Sequence, residues 1–174
     1  MDAKTVVTYG LESVNRATDK ALEGLTKEEF EWQPKPDANS IGLILFHMAR
    51  SEDSFIQAWI RRQPKLWEAD HWYERLEIPK EDSGGHYSAE ELASFRLPRL
   101  RELMEYVAAV RKNTLDFIMQ LPPDEFDAKV QPPTPRQLSW EPTVGSMLEM
   151  NIIHLAEHAG EISYLRGLQR GLNK

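Results

Sequence analysis

Two histidines near the end of the chain have the spacing of metal ligands. His154 and His158 lie in residues 151–170, NIIHLAEHAGEISYLRGLQR, whose apolar spacing predicts a long helix. Side chains four residues apart on an α-helix project from one face, about 40° apart around the axis. The pair is therefore either half of a metal site or two neighbouring histidines of a protein core.

The helical face that carries this pair is predicted to point inward. Met147, Leu165 and Leu168 continue the apolar stripe of the face, whereas Arg166 and Arg170 fall outside it. An amphipathic helix buries its apolar stripe, so both imidazoles should lie inside the protein. Buried imidazoles need polar partners, and a metal ion is one such partner.

A third histidine has a similar setting in an earlier segment. Residues 41–62 have helical spacing, and Asn39 or Ser40 is the expected N-cap. Glu52 falls at the margin of the inward stripe of this helix, and Asp53 lies well outside it. The inward stripe consists of Ile44, His47, Ser51 and Phe55.

Four long helices are predicted to position these residues. They cover residues 3–22, residues 41–62, a third segment that follows Pro98 and ends near Leu121, and a fourth segment that opens at Thr143. Strand patterns are nearly absent. The sequence therefore predicts an all-α four-helix bundle, formed as one domain over residues 1–174, with long connections after helices two and three.

The connection after the second helix, residues 63–87, contains tryptophans, two prolines and a Gly-Gly pair. Its aromatic content argues against disorder, so we interpret it as a flap that packs over one end of the core. His71 and His86 lie in this segment and are expected to be solvated loop histidines. A second connection, residues 124–142, holds four prolines and is predicted to be irregular.

Composition restricts the protein class and the kind of metal site. The 174 residues carry a net charge of −7 and include no cysteine. An acidic chain is a poor candidate for nucleic-acid binding, and without cysteine any metal must be held by histidine, carboxylate or water. No apolar run of membrane-spanning length and no leader-like segment is present in the sequence, so we expect a cytoplasmic protein that does not contact membranes.

Together, His47, His154 and His158 suggest a metal site with one open position. Three neutral imidazoles leave a fourth position for water or substrate, as in catalytic rather than structural zinc sites. The ligand set suits zinc or nickel, whereas iron or manganese fits less well without a carboxylate. A core of unliganded histidines remains the alternative at this point.

Two polar residues flank the histidine pair on the same helix. Glu161, three residues after His158, could supply a carboxylate ligand, hold a water at the metal or orient a ligand. Asn151, three residues before His154, could hydrogen-bond a bound ligand. These two residues are the candidates for catalytic roles.

Several local sequences resemble the DinB-like (DinB/YfiT) superfamily of metal-binding four-helix bundles. They are Ser40-Ile41-Gly42, His47-Met48-Ala49, Thr143-Val144-Gly145 and the run HLAEHAGEISYLRG, residues 154–167. The resemblance covers nearly the whole chain in helix order and length. It implies a nickel or zinc ion on the histidine triad, which here falls on His47, His154 and His158.

The resemblance implies less about the reaction. Characterised relatives include S-transferases and an isomerase that use low-molecular-weight thiols, and no thiol-recognition motif can be matched here. We therefore expect a metal-dependent transferase or hydrolase with a small-molecule substrate, with a low-molecular-weight thiol as one candidate co-substrate. A non-enzymatic stress-response or ligand-binding bundle is the alternative, and a homodimer is left open.

Overall fold

The computed structural model describes residues 2–131 and 140–171, and four long helices dominate them. The long helices are α1 (Ala3–Leu22), α3 (Ile41–Asp53, continued by a π-helix over Ser54–Arg61), α7 (Leu100–Gln120) and α8 (Val144–Arg170). The short helices are α2 (Lys27–Glu31), α4 (Leu66–Ala69), α5 (Trp72–Arg75), α6 (Ala89–Ser94) and a 3₁₀ turn (Pro123–Asp127). The predicted all-α bundle is confirmed.

Local capping explains where the helices that carry the histidines begin. The Ser40 hydroxyl accepts a hydrogen bond from the Leu43 N–H at 3.2 Å, so Ser40 is the N-cap of α3. Thr143 caps α8 in the same way by accepting from the Ser146 N–H at 3.2 Å. Of the two candidates Asn39 and Ser40, the structure selects Ser40, and Thr143 is the cap expected for α8; both caps fix where the histidine-bearing helices start.

The directions of the helices bring α3 and α8 together in the core. Gly10 of α1 lies against Ile152 of α8, and Arg170 donates to the Gly24 carbonyl just beyond α1, so these two helices are parallel. The helix α3 runs opposite to α8, because His47 contacts His158 whereas the later Phe55 contacts His154. The antiparallel helices α3 and α8 thus supply all three histidines of the predicted metal site.

The second long helix changes from α to π geometry halfway along. The α-helical part ends at Asp53, and the π-helix that follows ends at Arg61, with Arg62 as its C-cap at a left-handed φ of 57°. The expected plain α-helix over residues 41–62 is therefore wrong in its second half. π-Helical turns in a long helix often occur at functional sites. Here the π segment presents Phe55 to the His154 ring, with the ring centroids 5.9 Å apart.

The flap, residues 63–87, is more ordered than the sequence suggests. It contains two short helices, and Trp67 and Trp72 are buried in them. Trp67 packs on Phe46 of α3 and on Tyr106 of α7, each at a centroid distance of 5.7 Å. The helical part of the flap therefore packs on the side formed by α3 and α7, rather than over an end of the bundle.

Asp53 corrects the predicted stripe of the second helix. It was expected to lie well outside the buried face, yet its side chain is 1 % exposed. Its carboxylate accepts hydrogen bonds from the Leu66 and Trp67 N–H groups and from the Tyr106 hydroxyl, each at 2.9 Å. The flap thus buries a face of α3 that would otherwise be in solvent, and Asp53 supplies the missing acceptors at the start of α4.

The end of α8 also departs from the predicted stripe. Leu168, expected inside, is half exposed, whereas Arg166, expected outside, is buried. Arg166 donates to the Ala21 and Glu23 carbonyls at 2.9 and 3.1 Å. Beyond the histidines, Ile162 and Leu165 remain buried, and Arg166 fastens α8 to the end of α1 through polar contacts.

Two remaining expectations concern the connections and membranes. The connection predicted over residues 124–142 includes residues 132–139, which lie outside the described residues. Its start is not irregular as predicted, because the 3₁₀ turn extends to Asp127, and Lys129 then forms an antiparallel bridge with Thr143, the N-cap of α8. In the described parts of the chain, no helix combines the length and apolar character needed to cross a bilayer.

Candidate metal centre

The three predicted histidines converge at the contact between α3 and α8. His47 Nε2 lies 3.1 Å from His154 Nε2, although the two residues are 107 positions apart in the sequence. His158 Nε2 lies 3.2 Å from the same His154 nitrogen. One ring nitrogen of each residue lies within 4.8 Å of the others, and each side chain is partly buried.

These separations fit a bound divalent ion. Nitrogen ligands about 2.0–2.1 Å from zinc at tetrahedral angles lie roughly 3.3–3.4 Å from one another. The two close Nε2 pairs approach this value to within a few tenths of an ångström. Three lone pairs directed at one point would repel each other unless a proton or a cation lies between them, so the cluster can hold a metal ion.

The ring of His47 is oriented by a backbone carbonyl. Its Nδ1 lies 2.7 Å from the carbonyl oxygen of Gly84 in the flap. A carbonyl oxygen only accepts, so Nδ1 carries the hydrogen and Nε2 keeps its lone pair for the triad. Burial lowers the pKa of His47, which favours the neutral form that a metal requires.

His158 is oriented in an equivalent way by a carboxylate. Its Nδ1 donates to Glu161 Oε2 at 2.7 Å, one helical turn later. Carboxylates placed on the far nitrogen of a ligating histidine fix its tautomer and raise its basicity. Of the three roles that the sequence allowed for Glu161, this contact matches the orienting role.

His154 occupies the middle of the triad, and no described residue orients its outer ring nitrogen. Its Nδ1 is buried and lies within hydrogen-bonding distance of no described protein atom. Burial, and then the neighbouring His158 and His47, lower the pKa of His154 to about 4. This histidine therefore stays neutral at physiological pH, with its Nε2 between those of the other two rings.

An open cavity of about 270 Å³ adjoins the triad. His47 and His158 form part of its wall, together with Gly84, Gly85 and His86 from the flap. The apolar part of the lining comes from Leu43, Ile44 and Leu92. A small molecule in this cavity would contact two of the three histidines.

The other sequence candidates lie in different settings. Asn151 is fully buried, its amide atoms lack described partners, and it is not part of the cavity wall. His71 is exposed beside Tyr73, as expected for a solvated loop histidine. His86 is also exposed, but it lines the cavity, with its ring centroid 6.4 Å from that of His47.

Sequence reasoning missed the part of the flap that contacts the triad. Gly84 lies directly against Arg50, and Gly85 lies directly against His47. A Cβ atom added to either glycine would lie 2.5 Å from the nearest atom of that neighbour. In the sequence, the Gly-Gly pair was the one signal of this contact. Adjacent glycines mark places where a backbone approaches another group closely, but they do not say which group.

Comparison with known proteins agrees with this fold. Residues 11–162 match the family model of the DinB superfamily. The match covers most of the 174 residues, and the chain therefore belongs to the DinB superfamily. The resemblance inferred from the sequence motifs is confirmed.

A solved structure has the same fold. It is described as a conserved protein of locus from Enterococcus faecalis, and it is 24% identical to this chain. The alignment covers 97% of each chain with a TM-score of 0.79. No curated protein matches this sequence at a significant level.

Proposed function

We propose that this protein is a metal-dependent enzyme that acts on a small molecule, with the metal held by His47, His154 and His158. One observation carries the proposal: three imidazole nitrogens converge beside an open cavity. A closed structural site would surround the ion with four protein ligands. Here three described histidines would bind the ion, and the cavity that His47 and His158 line would admit a further ligand.

The donor set favours zinc or nickel. Imidazole nitrogens suit these ions, whereas iron and manganese sites usually include carboxylates. Glu161, the nearest candidate carboxylate, is turned towards the far nitrogen of His158. A divalent ion bound by the triad would act as a Lewis acid and lower the pKa of a water or thiol at its open position.

The chain's own residues prepare the site in two ways. The Gly84 carbonyl and Glu161 hold two of the imidazoles with Nε2 directed inward, so little rearrangement is needed for binding. The apolar side chains of Leu43, Ile44 and Leu92 shield part of the cavity from water. A partly desolvated cavity strengthens electrostatic interactions with a bound substrate.

We propose transfer to a low-molecular-weight thiol, or hydrolysis, as the reaction class. A thiol sulfur is a soft ligand that suits zinc and nickel, and a cavity of about 270 Å³ accepts a small molecule. The described cavity wall contains one carboxylate, that of Asp37, which is paired with Lys35 at 3.3 Å. From the flap, His86 and Tyr87 are the polar side chains of the cavity wall that a substrate would meet.

A non-enzymatic metal-containing protein, which binds a ligand or acts in a stress response, is the second candidate. The orientation of Glu161 favours it, because this carboxylate supports His158 and is not free to serve as a general base. Binding without turnover would then be the function of the cavity.

A turnover screen separates the two candidates. Protein loaded with zinc or nickel would be assayed against low-molecular-weight thiols paired with electrophiles, and against small esters and amides. We expect turnover of at least one pair by the wild-type protein and none by His154→Ala. Saturable binding without turnover across the screen would contradict the enzymatic proposal and favour the second candidate.

A further inference from the structure

We propose that residues 82–87 of the flap are a positioning element of the metal centre, which holds the ring of His47 in the orientation and tautomer needed for binding. The segment does this through the Gly84 carbonyl and through close contact of Gly85 with the ring. The proposal rests on the proposed function, because it concerns the same three histidines. It assigns a role to a segment far from His47 in the sequence.

The contact between the segment and the ring has no room for a side chain. A Cβ atom added to Gly85 would lie 2.5 Å from His47 Nδ1, closer than real Cβ atoms approach other atoms. A Cβ atom on Gly84 would lie 2.5 Å from the Cβ of Arg50, and Gly84 has a φ of +79°. Glycine is therefore required at both positions, for space at Gly85 and for space and backbone conformation at Gly84.

Internal hydrogen bonds hold the segment in shape. Asp82 Oδ1 accepts from the Gly84 N–H at 2.8 Å and from the Tyr87 hydroxyl at 2.6 Å. These two contacts close the loop around Gly84 and Gly85. The carbonyl that faces His47 is thus presented by a loop with its own fixed geometry.

A buried arginine ties the segment to the helix that carries His47. Arg50 of α3 donates to the Asp82 carbonyl at 2.6 Å. The Arg50 guanidinium also stacks over the Trp67 ring at 4.0 Å from its centroid. Because Arg50 is three residues after His47, the same helical turn that presents the ligand also anchors the loop that orients it.

The contact with Gly84 differs from ordinary packing because it selects one tautomer of His47. An imidazole without a fixed partner populates both tautomers, and only one of them leaves Nε2 free for a metal. With Nδ1–H donated to Gly84, the lone pair of His47 faces the triad before any ion arrives. Loss of the contact should therefore alter the tautomer of the metal-free protein as well as its metal affinity.

The test compares Gly85→Ala with Gly160→Ala. A Cβ atom on Gly160 would meet nothing within 4 Å, so this variant is a matched control on α8, two residues from His158. The first measurement is NMR of the histidine side-chain nitrogens in the metal-free protein. The second is zinc affinity, together with the visible spectrum of the cobalt-loaded protein, which reports ligand geometry.

We expect His47 of the wild-type protein to be the Nδ1–H tautomer, and Gly85→Ala to show a mixture or the other form. Zinc affinity should fall by about 10- to 100-fold, as for other losses of ligand-orienting contacts, and the cobalt spectrum should change. Gly160→Ala should match the wild type in all three measurements. Wild-type tautomer and affinity in a folded Gly85→Ala protein would overturn the proposal.

A milder variant, Tyr87→Phe, tests the positioning role if Gly85→Ala does not fold. Tyr87→Phe removes one bond to Asp82 without adding atoms, and it should shift the tautomer and affinity in the same direction by a smaller factor. An unchanged His47 tautomer in Tyr87→Phe would then count against the proposal. If the wild-type protein binds no metal, the proposed function fails, whereas the tautomer measurement still tests the positioning role.

Discussion

Glu161 Oε2 lies 2.7 Å from Nδ1 of His158, on the side of the imidazole opposite the triad. The Glu161 side chain is half exposed, and this one hydrogen bond is its contact with the centre. The carboxylate makes Nε2 of His158 more basic and keeps its lone pair directed at the other two histidines. Metal affinity should therefore depend on a residue that does not itself bind the metal.

Replacement of Glu161 by Gln should weaken zinc binding by about 10- to 100-fold without unfolding the protein. Glutamine can still accept from the imidazole but carries no charge, so the loss reports the electrostatic part of the contact. Equilibrium titration against a chromophoric chelator measures the affinity. Glu157→Gln, an exposed change on the same helix next to His158, is the control and should retain wild-type affinity. Equal affinities for the two variants would contradict the orienting role.

Asp53 should contribute to stability through the flap. In Asp53→Asn, an amide replaces a carboxylate that accepts from two backbone N–H groups and one hydroxyl, and the amide N–H₂ cannot accept. The cost of an unsatisfied buried group predicts destabilisation by about 1–3 kcal/mol. Denaturant unfolding followed by tryptophan fluorescence measures it. Asp70→Asn, an exposed change in the same flap, should change stability little, and an equally stable Asp53→Asn protein would contradict the assignment.

The triad could be predicted from the sequence because it depends on local patterns. Helical spacing places His154 and His158 on one face, and the caps Ser40 and Thr143 are read from residue type and position. The pairing of α3 with α8, which brings His47 to the others, followed from the family resemblance. The helical spacing and the caps need no knowledge of distant contacts.

The contacts of the flap could not be predicted, because they join distant parts of the chain. Asp53 is buried because α4 docks on the outer side of α3. In a helix that is buried on most of its faces, the spacing of apolar residues no longer shows which face points inward. The partner of His47 Nδ1 is a backbone oxygen 37 residues away, which no residue type encodes. Arg166 was misassigned for the same reason, since it contacts the carbonyls at the end of α1.

Glu52 should make stability depend on pH near neutrality. Its side chain is 4 % exposed, and burial raises its pKa to about 7 from an ordinary value of 4.5. The native state keeps a proton that the unfolded chain loses, so this residue lowers stability as pH rises from about 4.5 to 7.

Glu52→Gln removes that dependence. Relative to the wild type, we expect it to stabilise the metal-free protein at pH 8 by about 1–3 kcal/mol and to have little effect at pH 4. Urea unfolding at both pH values, with the exposed Glu149→Gln as control, gives the difference. A stability difference between Glu52→Gln and wild type that is the same at both pH values would show that the native-state pKa of Glu52 is not raised above that of the unfolded chain.

The stabilising effect of metal should depend on pH in the acidic range. Burial lowers the pKa of His47, and burial with the neighbouring histidines lowers that of His154 to about 4. Protons therefore compete with the ion at His154 only well below the ordinary histidine pKa of about 6.5, and at His47 below that pKa. The native state stays neutral where the unfolded chain is protonated, so without metal these residues reduce stability as pH falls from about 6.5 towards 4.

Thermal melting from pH 4.5 to 8, with zinc and with a chelator, tests this dependence. The gap between the two melting temperatures should be large at pH 7.5, should persist at pH 6 and should be smaller at pH 4.5. A gap that is as large at pH 4.5 as at pH 7.5 would contradict histidine ligation.

Metal content of the untagged protein tests the central claim most directly. After growth with zinc and nickel supplied, we expect about one equivalent in the wild type and in the exposed control His71→Ala. His47→Ala, His154→Ala and His158→Ala should each hold less than about a tenth of an equivalent, because two nitrogens hold a divalent ion far more weakly than three. A wild-type protein without metal, or a His47→Ala protein with a full equivalent, would contradict the assignment of the metal centre to these three histidines.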